Sequence, residues 1–266
     1  MRVESVFVYP VKATSGVHVQ SSEVELSGLR HDRRWAIVDL EGKRLNATHH
    51  DTLLAVTAVP GDDGGLMLTA EGIEPAPVAV PRGGPLIPVN VSRLAEATDA
   101  GDLAAEWFSE YLSKPVRLVW QAEPALRTMS ANHGGLDSEP LSLADTGPLL
   151  LTSTASLDQL HEWIGGGDLA MQRFRPNVVI DGDVPFAEDT WRLIRIGDVR
   201  YRFAERCDRC VVTTIDPLTL SHGKEPIRTL ARHRKWDGKT WFGIRIVPLT
   251  EGSLSAGDEV EVDIVS

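Results

Sequence analysis

Short apolar runs separated by turn residues set the pattern of this chain. Residues 3–12, 17–26 and 34–40 read as strands. In the last, Arg34, Ala36 and Val38 alternate with Trp35, Ile37 and Asp39, the period of two that a pleated strand imposes. Glu41-Gly42 predicts a turn, and Gly61-Asp62-Asp63-Gly64-Gly65 another between two apolar stretches. Residues 102–113 carry Leu103, Trp107 and Tyr111 at fourfold spacing, which brings them onto one face of a helix. Pro115 breaks that helix, and Val116 to Trp120 returns to strand. Ser156-Leu157-Asp158-Gln159-Leu160 opens a second helix that Gly165-Gly166-Gly167 stops. Arg192 to Ile196 and Val199 to Phe203 flank Gly197-Asp198, a hairpin signal with glycine first. Residues 123–147 lack periodicity and read as an interdomain linker and mobile substrate-side loop. The pattern is mainly β with α insertions, without internal repeat or low-complexity tract.

A length of 266 residues suits one large or two ordinary domains. No apolar run approaches the roughly 20 residues a membrane span needs, and no signal peptide precedes the first strand. The expectation is a cytoplasmic protein without a membrane partner. Two cysteines in a reducing compartment argue against a disulfide framework. With 27 basic and 38 acidic residues the chain carries −11, which disfavours nucleic acid as a partner. The charge is uneven. Residues 200–245 hold 11 Lys or Arg against 5 Asp or Glu, a local +6 that leaves −17 elsewhere. Such a region is either a solvated basic face or an anion site, since arginine forks suit phosphate oxygens.

Both cysteines lie in that region, three positions apart, as Arg206-Cys207-Asp208-Arg209-Cys210. Neighbouring guanidinium charge favours thiolate, a nucleophile and a soft metal ligand. A redox dithiol would sit at a helix N-terminus, whereas Val211, Val212, Thr213, Thr214 and Ile215 are strand-forming. A structural zinc site would have to recruit His222 or His233, because no second cysteine pair exists. Two small buried thiols of no special role are the third reading. Spacing alone leaves all three open.

The wording around the pair is more specific. Cys-Asp-Arg-Cys-Val-Val-Thr-Thr-Ile-Asp-Pro resembles the signature of the MOSC domain, the molybdenum-cofactor-binding module of the mitochondrial amidoxime-reducing component and its bacterial relatives. Val8-Tyr9-Pro10-Val11-Lys12 and Gly28-Leu29-Arg30-His31-Asp32-Arg33-Arg34-Trp35 resemble the opening motifs of the β-barrel domain that precedes it. Asp145-Thr146-Gly147-Pro148, Phe174-Arg175-Pro176-Asn177, Lys224-Glu225-Pro226, Phe242-Gly243 and Gly257-Asp258-Glu259-Val260 follow in the family's order. The resemblance implies an N-terminal β-barrel-like domain over residues 1–122, a β-barrel MOSC domain over 123–266, and a cofactor cleft between them.

It also implies roles. Cys210 matches the molybdenum ligand and catalytic residue; Cys207 matches the family's other cysteine, which is not the ligand. Lys12, Arg33 and Arg175 match basic residues that hold the cofactor, and Asn177 supplies an amide able to donate and accept. Asp145, Thr146 and Gly147 match a short contacting loop, while Asp208 and Arg209 line the cofactor through backbone amides and the arginine side chain. Arg245, three residues after Phe242, joins them where the amidoxime-reducing component has a tyrosine. Two further departures are Gly147 in place of a serine, and Ala13 where relatives often have a phosphate-binding serine that Thr14 or Ser15 would have to replace.

The resemblance points to a molybdenum-cofactor oxidoreductase that reduces small N-hydroxylated or N-oxide compounds. Two cysteines cannot hold an iron–sulfur cluster, and no Gly-x-Gly-x-x-Gly turn suggests a nicotinamide or flavin site. Some bacterial relatives append a ferredoxin domain, whereas this chain stops at Ser266. A separate electron donor of ferredoxin, flavoprotein or cytochrome type is implied. The rival is a non-catalytic carrier or sulfur-transfer protein for molybdenum cofactor.

Overall fold

The computed structural model describes residues 1–136, 138–166 and 169–264. In the N-terminal part, Trp35–Val38, Arg117–Trp120, Leu94–Asp99 and Leu86–Val91 form one antiparallel sheet, and Thr57–Pro60, Leu66–Ala70 and Ile73–Val78 form another. Helix α1 (Asp102–Leu112) covers them. Together they bury Trp35, Leu53, Leu68, Trp107, Phe108 and Leu118 in a shared core. The alternation in Trp35–Val38 sorts residues between two cores: Trp35 and Ile37 face that of α1, whereas Ala36 and Val38 pack with Val91 and Leu143. All four are buried, so neither face of this strand meets water.

The larger sheet has nine strands. Across it run Val260–Ile264, Trp191–Ile196, Val199–Asp208, Lys239–Pro248, Leu149–Ser153, Val178–Ile180, Val3–Val8 and Val17–Val19, with Lys235–Trp236 pairing onto Lys239–Pro248. The first strand of the chain thus lies beside Val178–Ile180. Leu149–Ser153 and Val178–Ile180 are parallel, which demands a crossover, and helix α2 (Thr154–Ile164) supplies it. Ser153 caps α2 by accepting from the Ser156 amide, and Gly165 ends it in the left-handed region at φ +80°. Gly167, expected to share that stop, lies outside the described residues. Helix α3 (Ile227–His233) contributes Leu230 to a core with Leu160, Phe174 and Phe242. The architecture is mainly β with α insertions, as the pattern predicts. No helix among the described residues is long and apolar enough to cross a membrane.

Local expectations fail where tertiary contacts decide. The first strand stops at Val8, ahead of Pro10, which has no amide hydrogen to donate to a ladder. Residues 17–26 form two strands with different partners: Val17–Val19 joins Val3–Val8, and Ser21–Glu25 joins Gly252–Ser255. The α1 stripe is Ala104, Trp107 and Phe108 with Tyr111, and Leu103 is 80% exposed. The hairpin at Gly197 (φ +55°) forms as predicted, but its second strand runs on to Asp208. The described residues of 123–147 are anchored rather than loose. Leu141 and Leu143 are fully buried, the Leu143 amide donates to Arg33 O at 2.8 Å, and the buried Arg127 side chain donates to the carbonyls of Ser92, Ser142 and Asp145. A periodicity search misses such a segment because its apolar residues anchor singly rather than as a face.

Burial separates two neighbours on α1. Phe108→Ala empties a fully buried site and is expected to cost about 3–5 kcal/mol. Leu103→Ala is expected to stay within about 0.5 kcal/mol. Urea unfolding reads both; equal losses would contradict the assigned face.

Candidate active site

The strand ends of the large sheet open onto a cleft of about 330 Å³. Lys12 follows the first strand, Arg33 precedes Trp35–Val38, Asp145-Thr146-Gly147 leads into Leu149–Ser153, Arg175 and Asn177 lead into Val178–Ile180, and Cys207 to Cys210 end Val199–Asp208. Arg245 reaches in from Lys239–Pro248. All eleven residues singled out in the sequence, Cys210 and the ten that accompany it, line this cleft. Arg44 and Arg173 line it too and were not singled out. Arg173 had a signal, the Arg-Phe-Arg run at 173–175; Arg44 sits in a loop with no motif around it.

The lining of the cleft is strongly cationic. Lys12 is buried, and its Nζ donates to Leu143 O and to Asp145 Oδ1, both at 2.7 Å. Burial pushes the Lys12 ammonium down to about 8, with Asp145 opposing the shift. Burial raises the Asp145 carboxyl, but Lys12 and Arg44, the latter also at 2.7 Å, outweigh it and hold the group below its ordinary range. Arg33 binds the buried Asp32 carboxylate and donates to Asn177 Oδ1 at 3.1 Å. Burial works against the Arg33 charge, yet Asp32 leaves its pKa raised. Asn177 has no spare amide capacity. Its Oδ1 also accepts from Leu150 N at 3.2 Å, and its Nδ2 donates to Phe7 O at 3.2 Å and Asp32 Oδ1 at 3.0 Å. Sequence reasoning gave this amide to the ligand; the structure spends it on orienting Arg33.

The cysteines lie on the same cleft. Cys207 is buried and its Sγ accepts from Arg209 Nη1 at 2.7 Å, while Cys210 is exposed. Val211–Thr214, expected as strand, is a 3-10 turn. The reason is local: Thr213 Oγ1 donates to Cys210 O at 2.9 Å and Thr214 Oγ1 to Val211 O at 2.7 Å, a competition that short hydroxyl side chains offer to extended pairing. The expectation of a strand after Cys210, which weighs against a redox dithiol, is therefore overturned. The zinc alternative fares worse, since His222 pairs with Asp51 at 2.6 Å and His233 stacks on Trp163 at 4.3 Å. Among the described residues no three His, Cys, Asp or Glu gather to hold a metal unaided. The Arg209 amide, expected to face the cofactor, donates instead to Thr240 O at 2.8 Å.

The departures from the family pattern fit one another. Arg245 donates to Glu205 at 2.5 Å and to Asp208 at 3.0 Å. Burial opposes its charge, but these acids and the neighbouring Cys207 raise its pKa. A Cβ at position 147 would stand 3.1 Å from the Arg245 Cβ and Cδ, so the glycine makes room for the arginine. Thr14 does not replace the missing serine: it is fully buried and its hydroxyl donates to Val11 O at 2.9 Å.

The donor set fits an anionic ligand. Among the described residues seven cationic side chains line the cleft against two carboxylates. Among the described residues Arg175 and Arg209 have no carboxylate partner, and burial lowers the Arg175 pKa to about 10. Three buried polar atoms in the lining, Thr146 Oγ1, Arg173 Nε and Arg209 Nε, lack any hydrogen-bond partner. Unpaired buried donors beside uncompensated charge are what a bound anion would satisfy. The exposed Cys210 thiol at the same cleft adds the soft ligand.

Comparison with known proteins agrees along the chain. Residues 138–261 match the MOSC domain and residues 1–115 the MOSC N-terminal beta barrel domain. The chain is 32% identical to mitochondrial amidoxime reducing component 2 of Rattus norvegicus, covering 97% of this chain and 82% of that protein. To mitochondrial amidoxime-reducing component 1 of Homo sapiens it is 33% identical, with the same shares covered. Molybdenum cofactor sulfurase of Danio rerio is 30% identical over 90% of this chain, which spans 31% of that longer protein. With both parts matched and most of the relatives' length covered, the chain belongs to the MOSC family that includes the mitochondrial amidoxime-reducing components.

Proposed function

We propose that this protein is a molybdenum-cofactor-dependent reductase of N-hydroxylated or N-oxide compounds, drawing electrons from a separate donor protein. The observation that carries the reading is the exposed Cys210 thiol on a cleft with seven cationic side chains and three unpaired donors. When bound, the cofactor supplies a two-electron centre, so that an N-hydroxylated substrate, two electrons and two protons give the N–H product and water. The chain supplies the rest. Cys210 would offer its thiolate as the metal ligand. Lys12, Arg33, Arg44 and Arg175 would hold the phosphate, and the unpaired donors of Arg173, Arg209 and Thr146 would add hydrogen bonds. Cys207, buried and tied to Arg209, orients that guanidinium. The chain divides near residue 122, with the cleft formed where the two parts meet.

The sulfurase relative keeps a second reading in view, a carrier of the cofactor or its sulfur. Turnover of a hydroxylamine with an artificial electron donor separates them. Tight cofactor retention with turnover supports the reductase; ready transfer to an acceptor apoenzyme without turnover supports the carrier.

Mutations divide the cysteines. Cys210→Ser is expected to lose molybdenum and all reductase activity, whereas Cys207→Ser keeps most of both, since a hydroxyl poorly replaces a soft thiolate. Metal analysis and turnover check this, and equal loss in the two variants would point to a shared dithiol site. The arginines follow. Arg33→Ala or Arg175→Ala is expected to weaken cofactor retention by about 2–5 kcal/mol, the usual cost of losing a charged hydrogen bond to a buried anion. Molybdopterin content per chain is measured beside the thermal midpoint; full occupancy in both variants would sink the assignment.

Lys12 gives a pH dependence. Its folded pKa is about 8 against 10.5 ordinarily, so the unfolded chain binds more protons between those values. The cofactor-free protein is therefore expected to gain stability from this group as pH rises from 8 to 10.5. Affinity for an anion at Lys12 falls over the same window, because the free site has lost its charge. Titrating molybdopterin into apo-protein at stepped pH tests this; Lys12→Met should bind weakly and abolish the step.

A further inference from the structure

Tyr9 is fully buried in the wall behind the cleft, and two cofactor-side guanidiniums lie over its ring. Arg33 Cζ stands 4.6 Å and Arg175 Cζ 4.4 Å from the ring centroid. Their Cα atoms are 142 positions apart in the chain, yet each residue takes the left-handed backbone, at φ +49° and φ +56°. L-residues adopt that conformation at a cost, and such strain persists only where surroundings hold it. The Tyr9 main chain is one holder: its carbonyl accepts from Arg33 N at 2.7 Å, and its amide donates to Asp32 at 2.8 Å.

The Tyr9 hydroxyl is buried without a hydrogen-bond partner among the described residues, and burial pushes its pKa up to about 12. It therefore stays protonated and is a poor acid at neutral pH. What remains is a flat π face in contact with two cations, a favourable arrangement that strengthens on desolvation. A second residue is fitted to it. A Cβ at Gly16 would stand 2.5 Å from Tyr9 Cε1 and 2.7 Å from Cζ, so only glycine lets the ring lie where it does.

Arg33 is already fixed by Asp32 and Asn177, whereas Arg175 has only the Thr14 carbonyl, at 2.5 Å, and the Tyr9 ring. We propose that Tyr9 is a positioning residue whose ring, with that carbonyl, holds the Arg175 guanidinium in its anion-binding geometry before any ligand arrives. A long arginine side chain otherwise loses rotamer freedom on binding, so fixing it in advance raises affinity. The inference rests on the anion-binding role given to Arg175 above.

The test uses the full-length protein and two readouts. In cofactor-free protein, relaxation of the Arg33 and Arg175 side-chain Nε–H signals reports their order without a ligand. Binding of molybdopterin released from a purified molybdoenzyme reports the consequence. Tyr9→Phe keeps the ring and should retain ordered arginines and full affinity. Tyr9→Leu should leave the Arg175 side chain mobile while Arg33 stays ordered by Asp32, and weaken binding roughly threefold to tenfold, the cost of ordering one arginine on binding. Added to an Arg175→Ala background, Tyr9→Leu should cause no further loss. Should Tyr9→Leu fail to fold, Gly16→Ala displaces the ring without emptying the core and should mobilise the same Arg175 signal. An ordered Arg175 in folded Tyr9→Leu or Gly16→Ala, or a loss in Tyr9→Phe equal to that in Tyr9→Leu, overturns the proposal. A wild-type protein with ordered arginines and no molybdopterin affinity would sink the cofactor reading alone.

Discussion

A single buried carboxylate joins the parts of this molecule that make its cleft. Asp32 is 1% exposed and accepts from the Tyr9 amide, the Asn177 side chain and the Arg33 guanidinium. Those groups come from the end of the first strand, the loop before Trp35, and the entry to Val178–Ile180. An unpaired charge at such depth would be severely destabilising, so each partner needs the others in place. The requirement fixes Arg33 at the cleft, keeps Asn177 turned inward, and sets the first strand beside Val178–Ile180. The remaining cations assemble around this point with partial compensation: Asp145 serves both Lys12 and Arg44, and Asp216 serves Arg173. Arg175 and Arg209 have no carboxylate to meet among the described residues, and the charge there is left uncompensated.

Membership of the candidate site was legible because its residues stand in short, dense motifs. Lys12, Arg33, Asp145, Arg175 and Cys210 come from separate stretches, and the structure brings them into one cleft. Roles were less legible than membership. Asn177 and the Arg209 amide looked like ligand contacts, yet each is spent on a protein partner that no local pattern reveals. Arg44 and Arg173 escaped because an arginine in a loop has no signature apart from what it faces.

The fold divides in the same way. The hairpin at Gly197 and the helix stop at Gly165 were readable because glycine marks a backbone conformation directly. The Val211–Thr214 turn was not, since β-branched residues favour strand in general and only the threonine hydroxyls tip the balance here. Leu103 shared the spacing of Trp107 and Tyr111 but not their burial, because the stripe that packs is centred on Phe108. Strand Trp35–Val38 alternates as a half-exposed strand would, yet both its faces are covered. Periodicity tells which residues share a side. What covers that side is decided by parts of the chain far away.

The central claim, that this cleft holds molybdenum through Cys210, is open to one direct measurement. X-ray absorption at the molybdenum edge counts the sulfur atoms around the metal in the purified, cofactor-loaded protein. The account predicts two dithiolene sulfurs and one more from Cys210, with that third sulfur lost from whatever metal a Cys210→Ser variant retains. An unchanged sulfur count in the variant, or a loaded wild-type protein with dithiolene sulfur alone, would contradict it.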